Sequence, residues 1–141
     1  MNHNEITRVS CSDAAAALIR ELRTLHGDLM FHQSGGCCDG SAPMCYVSGE
    51  FRVGRQDVYL GLIENCPFYM AADQFGHWRH THLTIDVVEG RGQGFSLEAP
   101  AGKRFLTRSR VFTDEEDKIL ADIGDPPRGD THHPEAVRAA A

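Results

Sequence analysis

The chain has 141 residues, 41% of them hydrophobic and 24% charged, with a formal charge of −6. That length buries a core without disulfide or metal staples, and the acidic balance argues against nonspecific nucleic-acid binding. No apolar run approaches the roughly 20 residues of a membrane-spanning helix. The start, Met1-Asn2-His3-Asn4-Glu5, lacks the basic and apolar regions of a signal peptide, so a cytoplasmic protein is expected. In that compartment five cysteines read as metal ligands or reactive thiols before they read as a disulfide framework.

Residues 1–11 are expected as a flexible N-terminus. From Ser12 to His26 the apolar residues Ala15, Leu18, Ile19, Leu22 and Leu25 recur on one helical face, with Ser10 or Ser12 as cap and Gly27 as terminator. The pattern then changes to strand-like runs over Leu29–Gln33, Met44–Val53, Asp57–Glu64 and Pro67–Met70. A turn or short helix around Asp73–Trp78 precedes further runs over His80–Val88, Gly94–Glu98 and Arg104–Phe112. Thr113-Asp114-Glu115-Glu116 is a capping box and opens a short helix to Gly124. The expected fold is α+β, mainly β: a compact β-sandwich-like domain over 12–124 with an N-terminal amphipathic helix and a short C-terminal helix, followed by a mobile tail over 125–141.

The chemistry concentrates in Gly35-Gly36-Cys37-Cys38-Asp39-Gly40-Ser41-Ala42-Pro43-Met44-Cys45. Glycines on both sides free the backbone to wrap thiolates around a ligand, and adjacent cysteines on an extended chain point to opposite sides, which a core has no use for. Cys37, Cys38 and Cys45 are therefore candidate sulfur ligands for zinc, copper or iron. In the run from His77 to Val88, Leu83, Ile85 and Val87 face a core, so His80 and His82 share the opposite face and can chelate, with Asp86 behind them. His32, next to the cysteine loop, points away from Leu29 and Phe31 and is a further candidate nitrogen ligand. A shared site requires the strands of His32 and His80/His82 to be neighbours.

Lys103, Arg104, Arg108 and Arg110 form a basic stripe, explained either by an acidic partner or substrate carboxylate or by a charge-protected edge strand. Paired carboxylates, a nucleophile elbow, a phosphate-binding loop and a dinucleotide fingerprint are all absent from the sequence.

The cysteine loop, with Trp78-Arg79-His80-Thr81, Ile85-Asp86-Val87-Val88-Glu89-Gly90-Arg91-Gly92 and Arg104-Phe105-Leu106-Thr107-Arg108-Ser109-Arg110, resembles a family of small bacterial proteins of unknown function. Its members are often encoded beside aldehyde or alcohol dehydrogenases, and the resemblance implies an accessory role there, with such a dehydrogenase as partner. The helix, strand and Gly-Gly-Cys order, with Ile85 to Gly90 and Gly94 to Glu98, also resembles the A-type iron–sulfur carriers. That likeness implies a compact β-rich fold; the C-terminal Cys-Gly-Cys pair of those carriers has no counterpart, since no cysteine follows Cys66.

The sequence thus leads to a small metal-binding accessory protein of aldehyde or alcohol dehydrogenase metabolism. Cys37, Cys38 and Cys45, with His32, His80 or His82, are its expected ligands to one transition metal ion. The alternative is a metal-free thiol redox or aldehyde-reactive module using the vicinal Cys37/Cys38 pair.

Overall fold

The computed structural model of the chain describes residues 6–36, 40–90 and 96–129. Among them are three helices and seven strands in two mixed sheets, an α+β arrangement. The first sheet contains β1 (Val9–Cys11), β6 (Thr81–Glu89) and β7 (Lys103–Val111), in that order. The second runs β3 (Met44–Val47), β2 (Leu29–Gln33), β5 (Cys66–Ala71) and β4 (Asp57–Ile63). Each sheet holds one parallel pair, β1 with β6 and β2 with β5; the other pairs are antiparallel.

Between β1 and β2 lies α1 (Asp13–His26). Ser12 is its N-cap, the hydroxyl accepting from the Ala15 amide at 3.1 Å, and Gly27 ends it at φ +85°, a conformation open to glycine without strain. Ala15, Leu18, Ile19 and Leu22 are buried as the helical spacing predicts, whereas Leu25, in the last turn, is 75% exposed. The link between β4 and β5 is the pair Glu64 and Asn65, both at positive φ, the form whose twist suits a two-residue hairpin. After β5 the chain enters α2 (Ala72–Trp78), and α3 (Asp114–Ile123) follows β7 behind the capping box of Thr113 and Glu116.

One core serves both sheets. Phe31 of β2 meets Phe68 of β5 at 6.2 Å and Phe105 of β7 edge-on at 5.2 Å, and Leu83, Ile85, Val58 and Ile63 join them. Burial of such side chains contributes about 1.5–3 kcal/mol each. Leu83 and Ile85 are buried as the alternation requires.

Several boundaries differ from the sequence reading. The run from Met44 stops at Val47, because Glu50 N bonds back to Val47 O at 3.0 Å and turns the chain. Residues 96–98, expected as the end of a strand, form a turn instead, while 91–95 lie outside the described residues. The three-residue β1 is too short to leave an alternation signal. Part of the segment expected as a mobile tail is held: Tyr59 N donates to Pro127 O at 2.8 Å, Arg128 bridges Val58, and Gly129 sits so close to Gly54 that a Cβ would come 2.6 Å from its carbonyl oxygen.

Candidate functional site

The loop between β2 and β3 is fixed at both shoulders. On the entering side, Trp78 Nε1 of α2 donates to Gly36 O at 3.1 Å. On the leaving side, Gly40 N donates to Thr107 O and Thr107 N to Ser41 O, each at 2.8 Å, so the segment runs beside β7. Gly36 has φ +89°, and a Cβ there would lie 2.1 Å from Ser41 Oγ. Only glycine fits that closure, which explains one of the two consecutive glycines in the sequence.

Beside these shoulders is a cavity of about 230 Å³ lined by His32, Ser34, Gly35, Gly36, Ser41, Ala42, Met44 and Arg104. At about 30 Å³ per water it holds some eight waters, or a ligand of similar atom count. Another cavity, of about 250 Å³, lies where β1, α2 and α3 meet, but there Arg79 faces Asp125 at 3.4 Å and His80 faces Asp117 at 3.3 Å. Its two carboxylates are thus taken, and Arg8 on the same wall donates to Arg79 O at 3.0 Å and lies over the Phe75 ring.

Within the first cavity's wall runs a hydrogen-bonded chain. His32 lies on the face of β2 away from Phe31 and the core; its register partners Met44 and Tyr69 share that face, as does Tyr59 opposite Tyr69. Phe51 covers the imidazole at 4.2 Å between ring centres. His32 Nε2 is 2.7 Å from Asp57 Oδ1, both side chains being only 3% exposed. A carboxylate accepts only, so Nε2–H donates to it; Nδ1 lies 2.9 Å from Ser34 Oγ, and in the neutral form of the ring it accepts from that hydroxyl. Asp57 Oδ2 accepts from Gly54 N at 3.1 Å, and Asp57 N donates to Gly54 O at 3.1 Å, a turn that fixes the carboxylate at the first residue of β4. Asp57 thus orients the imidazole, and Ser34, exposed at the cavity, is the solvent-side end of a Ser34–His32–Asp57 chain.

The basic stripe divides in two. Lys103 pairs with Glu89, Arg108 with Asp86 at 2.9 Å and Arg110 with Glu116 through two bonds at 2.9 and 3.1 Å. Arg104 pairs with no carboxylate among the described residues: its one bond runs from Nη2 to Gly40 O at 2.8 Å, and its guanidinium lines the cavity.

Cys37 and Cys38 lie outside the described residues, directly after Gly36 in the chain. The remaining expected ligands are spread over three surfaces. Cys45 opposes Phe31 in the β2–β3 register, so it faces the core, 0% exposed, and burial raises its thiol pKa strongly. It is a core thiol on the opposite side of the sheet from His32. His80 precedes β6 and is exposed beside Asp117 of α3. His82, on the first sheet's face away from the core, is 3.4 Å from Thr7 Oγ1 and edge-on to Phe112; burial, then Arg110, lowers its pKa. The adjacency required for a shared site is not met, because β2 and β6 belong to different sheets. Asp86, expected behind the histidines, binds Arg108 and the Ser12 cap hydroxyl, which hold its carboxyl below the usual range. Among the described residues no group of three or more His, Cys, Asp or Glu side chains converges as a metal site.

Ser34 and Asp57 were not candidates in the sequence. Ser34 carries a local signal, lying two residues after a histidine and just past the end of β2; Asp57 carries none, since 25 residues and an intervening strand separate it from its partner.

The described fold and cavity define a small α+β domain with a polar pocket at a glycine-rich loop. Residues 18–111 match the family described as a domain of unknown function, DUF779, and the chain belongs to that family. No curated protein matches the sequence. No helix among the described residues is long and apolar enough to cross a membrane.

Proposed function

We propose that this protein is a metal-free thiol module that binds small carbonyl compounds, using the vicinal Cys37/Cys38 pair as nucleophile and the Ser34–His32–Asp57 chain for proton transfer. The observation that carries this reading is the buried His32–Asp57 pair opening through Ser34 into the cavity lined by Gly35 and Gly36. Both imidazole nitrogens are taken by protein groups, so His32 is arranged for proton transfer rather than for coordinating a metal.

The chemistry is addition of a thiol to an aldehyde. A C–S bond forms, the C=O π bond breaks, and the thiol proton ends on the former carbonyl oxygen, leaving a thiohemiacetal with no oxidant consumed. His32 takes the thiol proton through the Ser34 hydroxyl and returns it to the alkoxide, while Asp57 stabilises the transient imidazolium. The domain, read as sandwich-like, keeps that pair dry under Phe51. The resemblance to proteins encoded beside aldehyde and alcohol dehydrogenases supports an aldehyde as the carbonyl compound and a dehydrogenase as partner.

The test is alkylation by iodoacetamide at pH 7.5, mapped by peptide mass spectrometry. Cys37 or Cys38 is expected to react faster than free cysteine, to be protected by pentanal, and to slow about tenfold or more in His32→Gln and Ser34→Ala. Ser34 is exposed, so its replacement leaves the fold intact. Thiols no faster than free cysteine and indifferent to pentanal overturn the reading. About one zinc, copper or iron per chain, with alkylation only after chelation, would favour the metal-carrier role instead.

A further inference from the structure

We infer that Arg104 makes the cavity beside the Gly36–Ser41 closure a subsite for the carboxylate of a short aldehyde acid. The inference rests on the thiol reading for the aldehyde end alone; the carboxylate end stands on the cavity.

Four basic side chains project from β7, and three meet a carboxylate of the same chain. Arg104 is the exception among the described residues, and it lines the cavity. Its position is set, because Nη2 is held by Gly40 O at 2.8 Å and Gly40 N is itself bonded to Thr107 of the same strand. A guanidinium has five N–H donors, so four remain, enough for a two-point grip on a carboxylate. A fixed planar cation at a cavity wall, with no internal counter-charge among the described residues, favours an anion from outside.

The anion's charge follows from the rest of the lining. His32 is tied to Asp57, Ser34 and Ser41 are neutral, and Ala42 and Met44 are apolar. One guanidinium balances one carboxylate, whereas a phosphate dianion calls for further cations that the lining lacks. Ala42 and Met44 suit a short methylene spacer. With about 230 Å³, the cavity fits a chain of a few carbons bearing a carboxylate at one end, on Arg104, and a carbonyl at the other, by Ser34.

The test compares 4-oxobutanoate with pentanal as protectors of the loop cysteines against alkylation, and measures binding of unreactive butanoate and of inorganic phosphate by calorimetry. Wild-type protein is expected to be protected by 4-oxobutanoate at concentrations about 10- to 100-fold lower than by pentanal, and to bind butanoate more tightly than phosphate. Arg104→Gln should abolish the difference between the aldehydes while leaving protection by pentanal unchanged; Arg104→Lys, which keeps the charge without the fork, should retain part of it. Thermal unfolding of both variants checks that the Gly40 contact is not needed for folding. Equal protection by the two aldehydes in the wild type overturns the carboxylate subsite and leaves the thiol reading standing. Butanoate binding lost in Arg104→Gln, with no protection by either aldehyde, supports the subsite and removes the thiol reading. Phosphate binding tighter than butanoate reassigns the subsite and overturns the inference.

Discussion

Replacing Asp57 separates the two roles of its carboxylate. In Asp57→Ala, two donors lose their acceptor together: His32 Nε2–H, in a side chain 3% exposed, and the Gly54 amide. Removing one member of a buried pair typically costs about 3–5 kcal/mol. For a chain of this length that lowers the midpoint of thermal unfolding by about 10 °C or more. Asp57→Asn is milder, at about 1–2 kcal/mol, because its amide oxygen still accepts from Gly54 N. Its NH₂ then faces His32, which must accept at Nε2 and carry its proton on Nδ1. Ser34 changes from donor to acceptor, and the proton path from the cavity is closed. Chemical denaturation gives the energies, and imidazole ¹⁵N shifts give the tautomer. Asp57→Ala within about 0.5 kcal/mol of wild type, or Asp57→Asn with the proton still on Nε2, would refute the chain as drawn.

Two further outcomes are expected. Burial pushes the Cys66 thiol up to about 11 from 9.0, so the folded state holds this proton more tightly than the unfolded state. Cys66 should therefore contribute a fall in stability of up to about 1.4 kcal/mol per pH unit as pH rises from about 9 to 11, a share that Cys66→Ser removes while that of the buried Cys45 thiol stays, as read by denaturation across that range. Trp78 is the sole tryptophan, 3% exposed, with its indole N–H on Gly36 O. Its emission should shift when the loop thiols are alkylated, and an unchanged spectrum would mean that the shoulder does not sense the loop.

Elements with a strong local period were legible in the sequence. The cap at Ser10 or Ser12, which falls on Ser12, the Gly27 stop, β2 to the residue and the Thr113 capping box all depend on contacts within a few positions. What the sequence concealed is non-local. Nothing in the alternation of β2 and β6 says that they belong to different sheets, so His32 and His82 looked combinable. Cys45 looked like part of the loop because it is near in sequence, but the β3 pleat turns it to the core. Arg104 was visible only as one of a stripe; pairing of its neighbours with Glu89, Asp86 and Glu116 is what sets it apart.

The pairing of Gly40 and Ser41 with Thr107 has a consequence for self-association. β7 is the last strand of its sheet, nine residues long, and such an edge is a template on which a second chain can add a strand. The backbone that occupies its middle belongs to the same loop that carries the vicinal cysteines. Gly40 and Ser41 therefore do for β7 what an added strand would do, occupying main-chain groups that a bare edge would offer to a second chain.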